Sequence, residues 1–274
     1  MNSSGKPDSV ASPGGFWFPL ASLWRRELVR FLRQPSRIAG LLAAPLLFWL
    51  FIGSGLGGSF RSPSDTSGGG YLQYFFPGTV VMIVLFTSVF ANMSTIEDRR
   101  EGFLQSVLVA PIPRASLILG KILGGTTQAM VPGALFLLLS PLAGFSLNWE
   151  RAGAALVVLF LVSFSLGTLG FALAWWIDSM QGFHAILNLV LVPLWLLSGA
   201  LFPVAGASRW LQWIMRANPL AYEVAALREV LSPAAQAAEF APLRTSLAVT
   251  LAFSLLSLAA ALLWSGRATT RHLG

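Results

Sequence analysis

Glu97, Glu101 and Gln105 recur at i, i+4 and i+8, with Phe103, Leu104, Val107 and Leu108 among and after them. On a helix this spacing makes one polar, acidic stripe beside an apolar patch. Two acids four residues apart repel by a few tenths of a kcal/mol, so something must offset them. An internal offset exists: Ser94 and Glu97 have the S-x-x-E spacing of a capping box, and the helix dipole favours acids in the first turn. An external offset would be a partner surface that receives the apolar patch. The pattern is equally compatible with either. Both readings predict a helix from Ser94 to Val109, stopped by Pro111 and Pro113.

Other reactive chemistry has little material to work with. There is no cysteine, His184 and His272 lie far apart, and no carboxylates have metal-ligand spacing. No catalytic, cofactor or metal site is therefore expected in this chain. Gly120-Lys121 is followed by Ile122 and lacks the earlier glycine of a phosphate loop, so the chain is not expected to hydrolyse ATP. Asp178 and His184 bracket a short loop and read as a solvated turn, since a proton relay needs acids at mid-membrane depth. Gly120-x-x-x-Gly124 could let two helices approach closely, but glycine is common in spanning helices and ordinary packing is the better reading. Thr126, Thr127, Gln128 and Asn188 are polar candidates for touching a cargo, although each fits a helix–helix hydrogen bond better.

The elements that carry these residues follow from composition. Of 274 residues, 55% are hydrophobic and 11% charged, against about 25% charged in soluble domains. So little charge cannot coat a water-facing surface. Six stretches approach the roughly 20 apolar residues a spanning helix needs: 38–57, 75–94, 116–140, 152–176, 184–202 and 244–265. Pro45 and Pro132 fall inside spans, which membrane helices tolerate. Lys121 sits near the start of the third, where its side chain could snorkel to the headgroups. The spans look nearly free of buried charge, which argues against an ion- or proton-driven carrier.

Twelve Lys/Arg fall on the N-terminal side of the membrane and six opposite, which places both termini in the cytoplasm. The net charge of +7 thus reads as membrane orientation rather than nucleic-acid binding. Residues 1–18 read as a disordered cytoplasmic tail and 266–274 as a second tail. Residues 19–37 read as an amphipathic interface helix: Leu20, Trp24, Leu28, Phe31 and Leu32 form its apolar stripe. Arg26, Arg30, Arg33 and Arg37 lie roughly opposite, Pro19 opens the helix, and Pro35 ends the run. Between the last two spans, residues 203–243 form an outer segment. Trp210, Trp213 and Ile214 make one apolar group there, and Leu220, Val224, Leu227 and Leu231 a second. Asn218-Pro219 breaks between them, so two short helices dipping into the outer interface are expected.

The order of these features resembles the membrane subunits of ABC-2 type exporters over roughly residues 20–265. The matching pieces are Phe76-Pro77-Gly78, Arg100-Glu101-Gly102, Leu108-Val109-Ala110-Pro111, Arg114 and Gly120-Lys121. Leu197-Ser198-Gly199, Phe202-Pro203, Asn218-Pro219-Leu220 and Arg228 follow towards the C-terminus. The resemblance implies an all-α membrane protein with a six-span transmembrane domain over 38–265, in a bacterial cytoplasmic membrane. It implies a pair of permease subunits, a homodimer by expectation, each docked on one of two separate ATP-binding subunits that hold ATP and Mg. Glu97, Arg100, Glu101, Gly102, Phe103, Leu104, Gln105 and Val107 would then belong to a coupling helix. Trp24, Arg26, Arg30, Phe31 and Arg33 would mark the interface helix, and Phe202, Pro203, Asn218 and Pro219 the outer re-entrant helices. Where the family often has Glu after Arg-Glu-Gly-x-Leu, this chain has Gln105, which removes one charged contact. The cargo expected is hydrophobic or amphipathic, drug- or lipid-like, with a polysaccharide or glycolipid as the alternative. A self-sufficient carrier or a membrane-embedded enzyme would instead need a membrane acid or a polar catalytic cluster.

The topology predicts that reporters fused after residues 65, 148 and 235 read as outside, and after 110 and 180 as inside. A cytoplasmic signal at 235 would refute it.

Overall fold

A computed structural model describes residues 15–57, 70–103, 112–146, 148–177, 179–232 and 240–271, and among these the chain is helical with no strand. Helix α1 is Trp17–Leu32 and α2 is Pro35–Leu56. Helix α3 is Tyr71–Arg100, α4 is Arg114–Leu137 and α5 is Trp149–Trp176. Helix α6 runs Met180–Ala200, and the short α7 (Arg209–Ala217) and α8 (Pro219–Leu231) precede α9, Leu243–Arg271.

Helix α3 is the axis of the bundle. It touches α2, α4, α5, α6 and α8, and is buried along most of its length. Its polar residues survive there because they bond locally. Thr79 and Thr87 donate to the carbonyls of Phe75 and Ile83, and Asn92 donates to Ser88 O and across to Gly167 O. Close approach does the rest. A Cβ on Gly78 would come 2.4 Å from the Cβ of Ala200, and one on Gly170 2.7 Å from Asn92 Nδ2. Dispersion over such contacts, rather than hydrophobic exclusion, holds helices together where the surroundings are apolar.

Among the described residues, five helices are long and apolar enough to cross a membrane: α2, α3, α5, α6 and α9. The predicted third span forms as α4, whose 24 residues would rise about 36 Å. Lys121, Thr126, Thr127, Gln128 and its glycines make it more polar than the other five. The physical reason is its position: α1, α3 and α5 pack around it, so much of its surface meets protein.

Several boundaries differ from the sequence expectation. The interface helix begins at Trp17, before Pro19, and stops at Leu32. Pro35 does not merely end it; it occupies the first turn of α2 and so places Arg37 in that helix. Ser94 caps nothing, because α3 passes through it without a break to Arg100. The helix from Ser94 to Val109 is interrupted at Gly102, whose φ of +75° is left-handed and strongly favours glycine at the end of a helix. Leu104, Gln105, Val107, Leu108 and Asp178 lie outside the described residues. The last helix continues to Arg271, through residues expected to belong to a tail.

The two short helices expected between the last spans are present as α7 and α8. Asn218 sits between them and accepts a hydrogen bond from Leu220 N at 3.0 Å, while Pro219 opens α8. Trp210 and Trp213 are exposed on α7.

Candidate functional site

Helix α1 lies against α4 because α4 presents Gly120 and Gly124 to it. A Cβ on Gly120 would sit 2.9 Å from Leu20 O, and one on Gly124 2.7 Å from the Cβ of Glu27. The glycine pair thus makes the close approach over which the sequence favours ordinary packing, and its partner is α1. The buried residues of α1 are Leu23, Glu27 and Phe31. Trp24 reaches over to donate to Thr127 Oγ1 at 3.0 Å, and Gln128 donates to Glu27 O at 3.2 Å. Thr126 and Asn188 instead bond within their own helices.

The carboxylate of Glu27 meets a charge cluster shared by three helices. Lys121 Nζ of α4 lies 3.1 Å from Glu27 Oε1 and 2.5 Å from Asp98 Oδ2 of α3. Arg26 grips Asp98 with both guanidinium nitrogens, at 2.9 and 2.8 Å. Farther out, Arg30 pairs with Glu97 at 2.5 Å. Three bases thus meet three acids. Asp98 and Lys121 are buried, whereas Arg30 and Glu97 are each 38% exposed. The hydrogen bonds from Arg26 to Asp98 hold its guanidinium above the ordinary arginine range. The same guanidinium covers the Phe103 ring at 4.0 Å.

This arrangement corrects two expectations. Lys121 does not snorkel; it is buried and ion-paired. The spans are not nearly free of charge, because α3 and α4 carry Asp98 and Lys121 inside the bundle. Phe103 also packs inward, against the cluster built on Leu23, Ile118 and Ile122, rather than standing free on a loop. Glu101 is exposed, immediately before the left-handed Gly102. Arg33 is exposed beyond the clamp. Sequence reading missed Glu27 and Asp98. Glu27 did leave a trace, standing at i+7 from Leu20 and i−4 from Phe31 within an otherwise apolar stripe.

At the other end of α3 a second polar group fixes α6. Helix α6 ends in a broken turn with Gly199 at φ +76°. The Gly199 carbonyl accepts from Tyr74 Oη at 2.8 Å and from Arg228 Nη2 at 2.9 Å. Asn218 Nδ2 donates to Leu194 O, and Trp195 Nε1 to Gly78 O. Residues quoted separately from the sequence, Gly78, Gly199, Asn218 and Arg228, therefore converge in one place. Phe202 and Pro203 form the half-buried turn that follows.

Helix α8 also carries Glu223, fully buried, with neither carboxyl oxygen hydrogen-bonded. Burial pushes its carboxyl up to about 8, against a smaller opposing pull from Ser165, whose hydroxyl does not close a hydrogen bond to it.

Long apolar helices around a buried axis, with a cluster of ion pairs at one end of it, are the build of a polytopic membrane protein. The chain belongs to the ABC-2 type transporter family, which it matches over residues 20–232. It is 26% identical over 214 residues to a daunorubicin resistance ABC transporter permease protein of Streptomyces coeruleorubidus, covering 77% of this chain and 74% of that one. It is 28% identical over 222 residues to the inner membrane transport permease YadH of Escherichia coli, covering 78% and 82%. It is 24% identical over 231 residues to nodulation protein J of Neorhizobium galegae, covering 83% and 86%.

Two predictions follow from the buried charges. Lys121→Met leaves Asp98 and Glu27 short of a cation and should cost about 3–5 kcal/mol, whereas Arg30→Gln, at the half-exposed pair, should cost under about 1 kcal/mol. Thermal unfolding in detergent would rank them, and equal losses would contradict the clamp.

Glu223 binds a proton in the folded chain at pH values where the unfolded chain, ionising near 4.5, has lost it. Stability should therefore fall as pH rises from about 4.5 to about 8. Glu223→Gln should flatten that slope, read as melting temperature against pH.

Proposed function

We propose that this chain is the membrane-spanning half of an exporter that moves a hydrophobic or amphipathic, drug- or lipid-like cargo across a bacterial cytoplasmic membrane. ATP is hydrolysed on a separate subunit. Two copies of the chain pair, and each docks one ATP-binding chain. All six long helices span, α4 included, and both termini are cytoplasmic. A polysaccharide or glycolipid cargo is the alternative within the same mechanism.

The observation that carries this reading is the clamp at the end of α3. The chain leaves α3 at Glu101 and Gly102, directly beside Asp98 and under Arg26. A force applied to the segment after Gly102 meets α1, α3 and α4 together through one set of ion pairs. An ATPase that pushes there therefore has a rigid path into the axis of the bundle. The drug-resistance role named for one relative supports the cargo class, as do the Phe, Trp and Leu on the helix faces. Glu223, buried and without a hydrogen-bond partner, is a feature a proton-driven carrier would want. Proteoliposomes given ATP and no proton gradient separate the two mechanisms.

Glu101 is the exposed residue at the exit of α3, so Glu101→Arg should insert and fold normally. It should lose most ATPase-subunit association or transport, more so with Phe103→Ala. Removing an interface anchor often costs more than about 1 kcal/mol. Phe103→Ala alone also loosens the contact with Arg26, so a melting curve accompanies it. Normal pull-down of the ATPase and wild-type export by the folded double variant would refute the coupling role. ATP turnover by the purified chain alone would refute the division of labour.

A further inference from the structure

Glu223 stands in the middle of the face that α8 buries, with Leu227 and Val230 at i+4 and i+7 from it. That face packs against α5, α9, α3 and the end of α6. Glu223 is 0% exposed there, and neither carboxyl oxygen has a hydrogen-bond partner. The polar group beside it is Ser165, whose hydroxyl is unpartnered as well. Ser165 lies about 24 Å along α5 from Trp149, so the carboxyl sits deep in the bundle, far from either end of that helix.

Among the described residues no cation answers it. Arg228, on the same helix, is turned towards α3, where it donates to Gly199 O and Tyr74 O. Tyr71 and Tyr74 of α3 donate to the carbonyls of Leu201 and Gly199. Along α9 the buried polar residues are serines and a threonine, and Arg244 at its start is exposed. The charges of α5, Glu150 and Arg151, are in its first turn, and Arg209 and Arg216 of α7 are exposed. Tyr222 and Glu229 lie on the half-buried back of α8. The seat therefore accepts a neutral carboxylic acid and strongly disfavours a carboxylate. Arg228 rides on the same short helix, so whatever moves Glu223 from its seat also moves a donor that holds the Gly199 turn of α6.

We propose that Glu223 is a proton-binding site that latches α8. With the proton on, α8 stays seated against α5 and α9. When the proton passes to water, the carboxylate leaves the seat, and α8 carries Arg228 off the Gly199 carbonyl. The ligand is a single proton, and it controls how firmly the broken end of α6 is tied to α3. This goes beyond the exporter reading and does not rest on it.

The chain has no cysteine, so single cysteines can report the seating of α8. Ala226→Cys places a thiol on its buried face, Ala221→Cys repeats the reading one turn earlier, and Ala217→Cys gives an exposed reference at the end of α7. Each purified full chain, in lipid nanodiscs, is reacted with a water-soluble maleimide from mild acid to mild alkali. The ratio of the buried to the reference rate removes the thiol's own dependence on pH. The infrared carbonyl band of the protonated acid is followed alongside, assigned by its absence in Glu223→Gln. The band should fade as pH rises. The ratio should climb with it by up to about ten-fold per pH unit, the limit for one released proton. Glu223→Gln, neutral throughout, should keep the ratio low at every pH. A band missing in mild acid or persisting into mild alkali would overturn the proposal. So would a ratio that stays low in both buried-site variants while the band fades, or an equal climb in Glu223→Gln. The assay contains neither ATP nor an ATPase, so its failure leaves the exporter reading standing.

Discussion

Asp98 is a carboxylate near the C-terminal end of the most buried helix, with Arg26 and Lys121 on it. Taking those three charges from water costs several kcal/mol per ion, and their mutual attraction offsets that only with good geometry. Here the geometry is good: a bidentate arginine from one helix and a lysine from another. The consequence is positional. Helices α1, α3 and α4 cannot separate at this point without leaving a charge buried alone. The contact of α1 with Gly120 and Gly124, the cover of Arg26 on Phe103, and the place where the chain leaves α3 all follow from that constraint.

The apolar runs were legible because lipid demands them over whole helices, and the outer pair of helices because Asn218-Pro219 breaks and caps at once. What escaped was partnership across distance. Lys121 near a helix end reads as a snorkelling cation when its partners are 23 and 94 residues away. Glu97 and Asp98 are adjacent, yet only Glu97 was noticed, because a stripe argument looks for i, i+4 company and Asp98 has its company on other helices. The helix expected to start at Ser94 failed for a related reason. S-x-x-E signals a start only if the preceding residues are not already helical, and the apolar run of α3 delivers them helical. Gly102 reads from the sequence as one member of a continuous helix from Ser94 to Val109, when its positive φ makes it the exit from α3.

The two ends of α3 use opposite chemistry. At the inner end charges meet charges, and the strength comes from pairing. At the N-terminal end Tyr74 and Arg228 donate to the Gly199 carbonyl, left free where α6 breaks, and Trp195 of α6 donates to Gly78 O of α3. In hydrocarbon a free carbonyl costs several kcal/mol, so a broken helix is tolerated only where side chains satisfy it. Arg228 does that while its guanidinium stacks on Tyr74 at 4.1 Å. The outer end of α6 is thereby tied to α3 and α8 rather than to lipid.

A single helix fixed at both ends, by ion pairs inside and by backbone capture outside, behaves as a lever with two loaded joints. Gly78, at the second of these joints, is in contact with Ala200, so α3 cannot bend towards α6 at that level. Under the exporter reading, a push after Gly102 would reach the Gly199 turn by this route without any new contact forming.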